Sequence, residues 1–257
     1  MQSFLYATLA SAALAAKGTF NYLQNGADWP GLCQTGREQS PINVTLVTHF
    51  RGDITQTGYQ NFPEGEMTDL GTTLQFNTLA ENTEATMTLL RGDGSVSDWK
   101  PVQFHFHAPS EHAIGGNLME LELHMVHLAA EGNDGFAAVL GVMFDRWWGG
   151  DECNEFLDSL EFNQSTETWE VTDVNVKDFL EGLNQDIFVS YDGSLTTPPC
   201  TEGVKWSLLM KVQNICTRQL KAFTARYADD PNFAGGRGNN RITLPENDRT
   251  IYYSGFI

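Results

Sequence analysis

With 257 residues and 41% hydrophobic side chains, the chain can bury one large core, and nothing in its composition marks disorder. Its 33 acidic against 15 basic residues give a formal charge of -18, which repels phosphate and excludes nucleic acid and anionic membranes as natural partners. The acid excess fits an ordinary soluble surface, with a salty or acidic habitat as the alternative.

The first element is a short apolar run from Phe4 to Ala16 that ends in Ala13-Leu14-Ala15, small residues suited to signal-peptidase cleavage. It is too short to span a bilayer. Residues 1–16 therefore read as a signal peptide, ahead of one domain over 17–257 in a secreted, extracellular or periplasmic-type protein. Met1-Gln2-Ser3 lacks the usual positive charge, so a buried or trimmed N-terminal segment is the other reading. No repeat or linker divides the remainder.

Strand-like alternation follows at 73–76, 85–89, 102–107, 119–127 and 137–144, separated by turns such as Arg91-Gly92-Asp93-Gly94. Helical periodicity is confined to Cys153–Leu160, Val176–Leu183 and Thr217–Tyr227. The architecture is expected to be mainly β with short peripheral helices. Four cysteines, Cys33, Cys153, Cys200 and Cys216, lack a C-x-x-C spacing; in an exported chain they pair, in one of three connectivities that composition does not choose. Sequons at Asn43 and Asn163 permit glycosylation after export.

The chemistry centres on Gln103-Phe104-His105-Phe106-His107. On a strand, positions i and i+2 share a face, so both imidazoles can aim at one ion. Zinc takes imidazole nitrogens in tetrahedral geometry, and a catalytic site uses three protein ligands with one position left for water. The run from Glu120 to His127 offers two candidates of opposite parity. His127 shares its face with Leu121, Leu123 and Met125 and reads as a core histidine. His124 shares its face with Glu120, Glu122 and Val126, where Glu122 can accept the ring's second N–H, as metal-bound histidines usually require.

With their flanking residues these motifs become specific. Gln39-Ser40-Pro41-Ile42, the run from Gln103 to His107, Pro109-Ser110-Glu111-His112, Glu122 through His127, Ser194 through Pro199, and Asn239-Asn240-Arg241 through Arg249 together resemble the α-class carbonic anhydrases over nearly the whole chain after the leader. The resemblance implies a central, twisted, largely antiparallel sheet of about ten strands, with Zn2+ at the base of a conical cleft. It implies reversible hydration of CO2 to bicarbonate and a proton by zinc-bound hydroxide. His105, His107 and His124 match the zinc ligands, with Gln103 and Glu122 as their hydrogen-bond partners.

The same resemblance gives Thr196 as the hydroxyl that orients the nucleophile, Glu111 as its acceptor and Tyr22 as part of the water network. Val126, Val139, Leu195, Thr197, Val204 and Trp206 match the substrate pocket, and the resemblance suggests pairing Cys33 with Cys200, which leaves Cys153 and Cys216 as a second disulfide or as two buried thiols. It further implies a monomer or homodimer inhibited by sulfonamides and inorganic anions. The stretch from His107 to His112 is most similar to the bacterial, plant and algal branches, with His112 structural beside Glu111 and Tyr191, and His49 reads as a surface residue. One position departs from the family: Thr72 stands where fast members carry a proton-relaying histidine, and threonine does not titrate near neutral pH. A silent binding protein on the same fold would be expected to lose a ligand or Thr196, and this chain has them all.

Overall fold

The structure, a computed structural model, describes residues 20–45, 47–130, 136–146 and 150–255. The expected signal peptide lies outside the described residues. Fifteen strands occur among the described residues: β1 (Asn43–Val44), β2 (Thr48–His49), β3 (Asp53–Thr57), β4 (Phe62–Asp69), β5 (Leu74–Phe76), β6 (Thr86–Leu90), β7 (Val96–His107), β8 (Ala113–Ile114), β9 (Asn117–Leu118), β10 (Leu121–Ala129), β11 (Ala137–Phe144), β12 (Thr168–Val174), β13 (Phe188–Ser194), β14 (Glu202–Leu209) and β15 (Tyr252–Ser254). Twelve of them form one sheet in the order β12-β4-β5-β7-β10-β11-β14-β13-β15-β2, with β3 and β6 attached beside β7. The pairs β11–β14 and β15–β2 run parallel and the rest antiparallel, so the sheet is mixed and slightly larger than expected.

The helices are short: α1 (Leu32–Thr35), α2 (Glu155–Asp158), α3 (Val176–Gly182) and α4 (Thr217–Thr224). Helix α2 starts where the Asn154 side chain accepts the backbone N–H groups of Phe156 and Leu157, which satisfies two of the donors a helix start leaves free. It occupies only one turn of the stretch that reads as helical in the sequence, and after Ser159 the chain continues in turns in which Leu160 and Glu161 donate to the Leu157 and Asp158 carbonyls, both at 3.3 Å.

Alternation along the central strands divides the core between the two faces of the sheet. Phe104, Phe106, Leu121, Leu123, Met125, Leu140 and Val142 pack on one side. On the other, Val126, Val139, Tyr191, Trp206 and Leu208 form a second cluster beside the histidines. Strand β11, whose residues are apolar throughout, is buried on both faces, as suits a strand with a parallel neighbour.

His127 falls on the far face from His124, as its parity requires. It is wholly buried, and its Nε2 meets the Tyr59 hydroxyl at 2.7 Å. Burial pushes its pKa from 6.5 to about 4. Above pH 6.5 the imidazole is neutral whether the chain is folded or not; as pH falls toward 4 only the unfolded chain takes the proton, so stability is lost across that window. The loss from this residue is expected to reach about 3 kcal/mol at pH 4. Urea midpoints measured from pH 7 to 4 should fall less steeply in His127→Phe; an identical slope would contradict this.

Candidate active site

Strands β7 and β10 lie side by side, in a register that sets His124 across from His105 and Glu122 across from His107. The three imidazoles therefore converge on one face, with ring centroids 5.1, 5.2 and 4.7 Å apart. One nitrogen from each lies within 4.8 Å of the other two.

The second nitrogen of every ring is already engaged. His105 Nδ1 donates to Gln103 Oε1 at 2.9 Å, His107 Nδ1 to the Asn239 carbonyl at 2.8 Å, and His124 Nε2 to Glu122 Oε1 at 2.9 Å. All three partners accept only, so the protons sit on those nitrogens and the lone pairs of His105 Nε2, His107 Nε2 and His124 Nδ1 turn inward. His107 Nε2 is buried with no hydrogen-bond partner. Burial, with mutual repulsion, holds His105 well below the usual histidine range, and burial pushes His107 down to about 4. His124 is also lowered by burial, against the opposing pull of Glu122. Neutral rings, fixed tautomers and an orphaned buried lone pair are what a divalent metal with a preference for nitrogen needs.

Glu122 organises the floor of the site. Its Oε2 accepts the backbone N–H groups of Glu111 and His112 at 2.8 and 2.9 Å, and its Oε1 also meets His112 Nδ1 at 2.7 Å. Burial alone would raise its pKa, but His112 and His124 outweigh that and hold the carboxyl well below the ordinary range. His112 continues to the Tyr191 hydroxyl at 2.5 Å and is structural, with Glu122 rather than Glu111 as its side-chain partner. Gly141, opposite His124, makes room for this arrangement: a Cβ there would stand 2.7 Å from Leu208 Cδ1 and 3.2 Å from Glu122 Oε1.

Thr196 sits in the turn between β13 and β14, closed by Leu195 N–H to the Thr201 carbonyl and Cys200 N–H to the Thr197 carbonyl, both at 2.9 Å. Cys200 has a positive φ of 56° and is bonded to Cys33. Glu111 is fully buried, and its Oε1 accepts the Arg241 backbone N–H at 2.8 Å. Burial lifts its pKa to about 7, opposed by His124 and by the Thr196 hydroxyl, while its Oε2 is buried. The Arg241 guanidinium ties this corner to the N-terminal segment through Gln39 Oε1 at 3.0 Å and the Ser40 and Cys33 carbonyls at 2.6 and 2.7 Å.

Above the histidines opens a cleft lined by the polar residues Tyr22, Thr72, Gln75 and Gln103 together with Val126, Val139, Leu195, Thr196, Thr197 and Trp206. Val204, expected in the apolar wall, is instead wholly buried behind it, in the cluster with Val126, Val139 and Trp206. Thr72 lines the cleft with its hydroxyl buried and unpartnered. His49, on β2, is exposed and stands edge-on to Tyr253, apart from the cleft.

Sequence reasoning assigned no role to Asn239. Besides the carbonyl that orients His107, its side chain accepts the Ala108 N–H at 2.9 Å and donates to the Thr72 and Phe106 carbonyls at 2.9 and 3.0 Å. The neighbouring Gly238 permits this approach, with φ of 139° and a would-be Cβ 1.9 Å from the Ala108 carbonyl oxygen. The sequence signal available was the Gly-Asn-Asn-Arg run itself.

Fold and site define a mainly β protein with a cluster of three histidines that could hold a metal ion, lining a cleft of mixed polar and apolar character. The family model for eukaryotic-type carbonic anhydrases matches residues 24–255. Alpha carbonic anhydrase 3 of Arabidopsis thaliana is 33% identical over 88% of this chain and 77% of that protein. Among solved structures, carbonic anhydrase Cah3 from Chlamydomonas reinhardtii in complex with acetazolamide superposes with a TM-score of 0.69 at 29% identity, over 89% of this chain and 95% of that one. Dioscorin complexed with ascorbate has a TM-score of 0.75 at 22% identity, over 93% and 98%, and shares the fold. The chain belongs to the α-class carbonic anhydrase family, and it is an enzyme of CO2 hydration.

Proposed function

We propose that the chain interconverts CO2 and bicarbonate with zinc held by His105 Nε2, His107 Nε2 and His124 Nδ1. The observation that carries this is the set of three neutral, tautomer-fixed rings with inward lone pairs, one of them buried without a partner. Zinc bound there supplies Lewis acidity that brings a coordinated water to a pKa of about 7, a value established for carbonic anhydrases as a group rather than read from this chain.

The protein's own residues supply orientation. Glu111, with one oxygen fixed by the Arg241 N–H, offers the other to the Thr196 hydroxyl, so that the Thr196 oxygen keeps a lone pair for the hydrogen of the attacking oxygen. Val126, Val139, Leu195 and Trp206 receive CO2, which has no net dipole and enters an apolar wall with little desolvation cost. Thr197, Tyr22 and Thr72 also line the cleft. Sulfonamides and small anions are expected to compete at the same place.

Among the described residues lining the cleft, none besides the three histidines is a titratable relay near neutral pH, since Tyr22 is raised well above its usual range by burial and by Glu111. The proton is expected to leave through water to a diffusible buffer. Stopped-flow hydration should therefore disappear with a strong zinc chelator, return with zinc, and rise with imidazole concentration in the restored enzyme. Turnover untouched by chelator would end the zinc assignment, and turnover already saturated without buffer would end the account of the proton.

Two disulfides suit an oxidising compartment. In such a compartment Asn163, exposed in a turn, is the expected glycan site. Asn43 is half-buried in β1 with its Oδ1 accepting the Gly116 N–H at 2.7 Å. Peptide mass spectrometry of protein secreted from a eukaryotic host should find sugar on Asn163; its absence there would refute the assignment.

A further inference from the structure

Cys153 and Cys216 form the second disulfide, away from the cleft. It differs from Cys33–Cys200 in access. Cys33, Cys200 and Cys216 are 4%, 0% and 1% exposed, whereas Cys153 is open to solvent. Each sulfur also has a hydrogen-bond donor. Arg218 Nη2 lies 3.3 Å from Cys153 Sγ. Cys216 caps α4: its sulfur accepts the Gln219 backbone N–H, and the Gln219 side chain takes the Cys216 N–H in return at 3.3 Å. A donor or positive charge beside a sulfur favours its thiolate, and a stabilised thiolate leaves faster in exchange.

We propose that Cys153–Cys216 is a thiol–disulfide exchange site for soluble thiols and dithiol reductants, while Cys33–Cys200 is a permanent structural bond. The incoming thiolate attacks the exposed Cys153 Sγ. A new S–S bond forms there, the Cys153–Cys216 bond breaks, and its electron pair departs on Cys216 Sγ, held by the Gln219 N–H at the helix start. The second thiol of the dithiol then attacks the mixed disulfide and releases Cys153 as a thiolate beside Arg218. Two electrons have moved: the protein disulfide is reduced, the dithiol becomes a disulfide, and its two protons go to solvent or to the new thiols.

The surroundings keep the opened pair in place. Gln219 Nε2 donates to the Asn154 carbonyl at 2.7 Å, the Asn154 N–H returns to Gln219 Oε1 at 3.0 Å, and Arg218 reaches both Asp158 oxygens at 2.8 and 2.9 Å. The bond can therefore reclose on oxidation. None of these residues lines the cleft, so hydration activity is expected to persist in the reduced form.

Native protein would be incubated with dithiothreitol, quenched with N-ethylmaleimide at intervals and mapped by peptide mass spectrometry. Cys153 and Cys216 should be labelled at least tenfold faster than Cys33 and Cys200, with hydration activity unchanged at the point of full labelling. Arg218→Gln should slow that labelling several-fold, and Arg218→Lys, which keeps the charge, should restore much of the rate. Simultaneous opening of both disulfides, earlier opening of Cys33–Cys200, or labelling as fast or faster in Arg218→Gln would overturn the proposal.

Discussion

His107→Ala is expected to purify without zinc and to lose more than a hundredfold in CO2 hydration. Removing even an outer hydrogen-bond partner of a metal ligand typically costs about 10–100-fold in affinity or activity, and in the proposed site His107 supplies a ligand atom itself. Its Nε2 has no hydrogen-bond partner within the protein, so that nitrogen is free for a metal, while its Nδ1 donates to the Asn239 carbonyl and keeps the ring in place. Zinc content by atomic absorption, read beside stopped-flow rates, tests this. A variant that keeps stoichiometric zinc and more than a tenth of the rate would show that the ion lies elsewhere. His107→Gln guards against misfolding, since its amide can still donate toward Asn239 while holding zinc poorly.

The double variant Cys33→Ser, Cys200→Ser should show the largest loss of stability. The bond closes a loop with a sequence separation of 167. The chain-entropy account assigns a loop of that length about 5 kcal/mol, as an upper value. Whole domains are stable by only about 5–15 kcal/mol, so such a loss leaves little margin. Activity should fall as well, because Cys200 anchors the turn that carries Thr196 and because Gln39 and Arg241 bind the carbonyls of Cys200 and Cys33 at 3.0 and 2.7 Å. Denaturant titration of the variant under oxidising conditions is the measurement. A difference below about 1 kcal/mol would mean that the buried polar contacts hold this corner unaided.

The clustering of the three histidines was legible because strand periodicity separates His124 from His127 without any knowledge of tertiary structure, and the structure places the two rings on opposite faces of β10. Alternation also located β5, β6, β10 and β11. Strand β4 escaped, since Phe62–Asp69 carries a proline, a glycine and three acids and is held by β5 and β12 more than by its own pattern. Strands β13 and β14 went unread although Val204, Trp206 and Leu208 alternate with Lys205 and Ser207 in β14; in β13 the buried Ser190 and Gly193 weaken the pattern.

The pairing of Cys33 with Cys200 came from family likeness alone, whereas the partner of Cys153 had to await the fold. Asn239 was missed because it acts partly through its main-chain carbonyl, which no side-chain pattern encodes. The misplacement of Val204 has a similar origin, since sequence distinguishes an apolar residue from a polar one but not the lining of a cavity from the layer behind it.

The adjacency of β7 and β10 also bears on the order in which the molecule assembles. All three clustered histidines come from one antiparallel pair whose connection spans only residues 108–120, so a modest loop closure brings them together. The Thr196, Glu111 and Arg241 corner instead waits on contacts that reach from the N-terminal segment to the last fifty residues. A refolding chain is thus expected to capture its ion by a short-range encounter and to become an enzyme later, once its two ends have met.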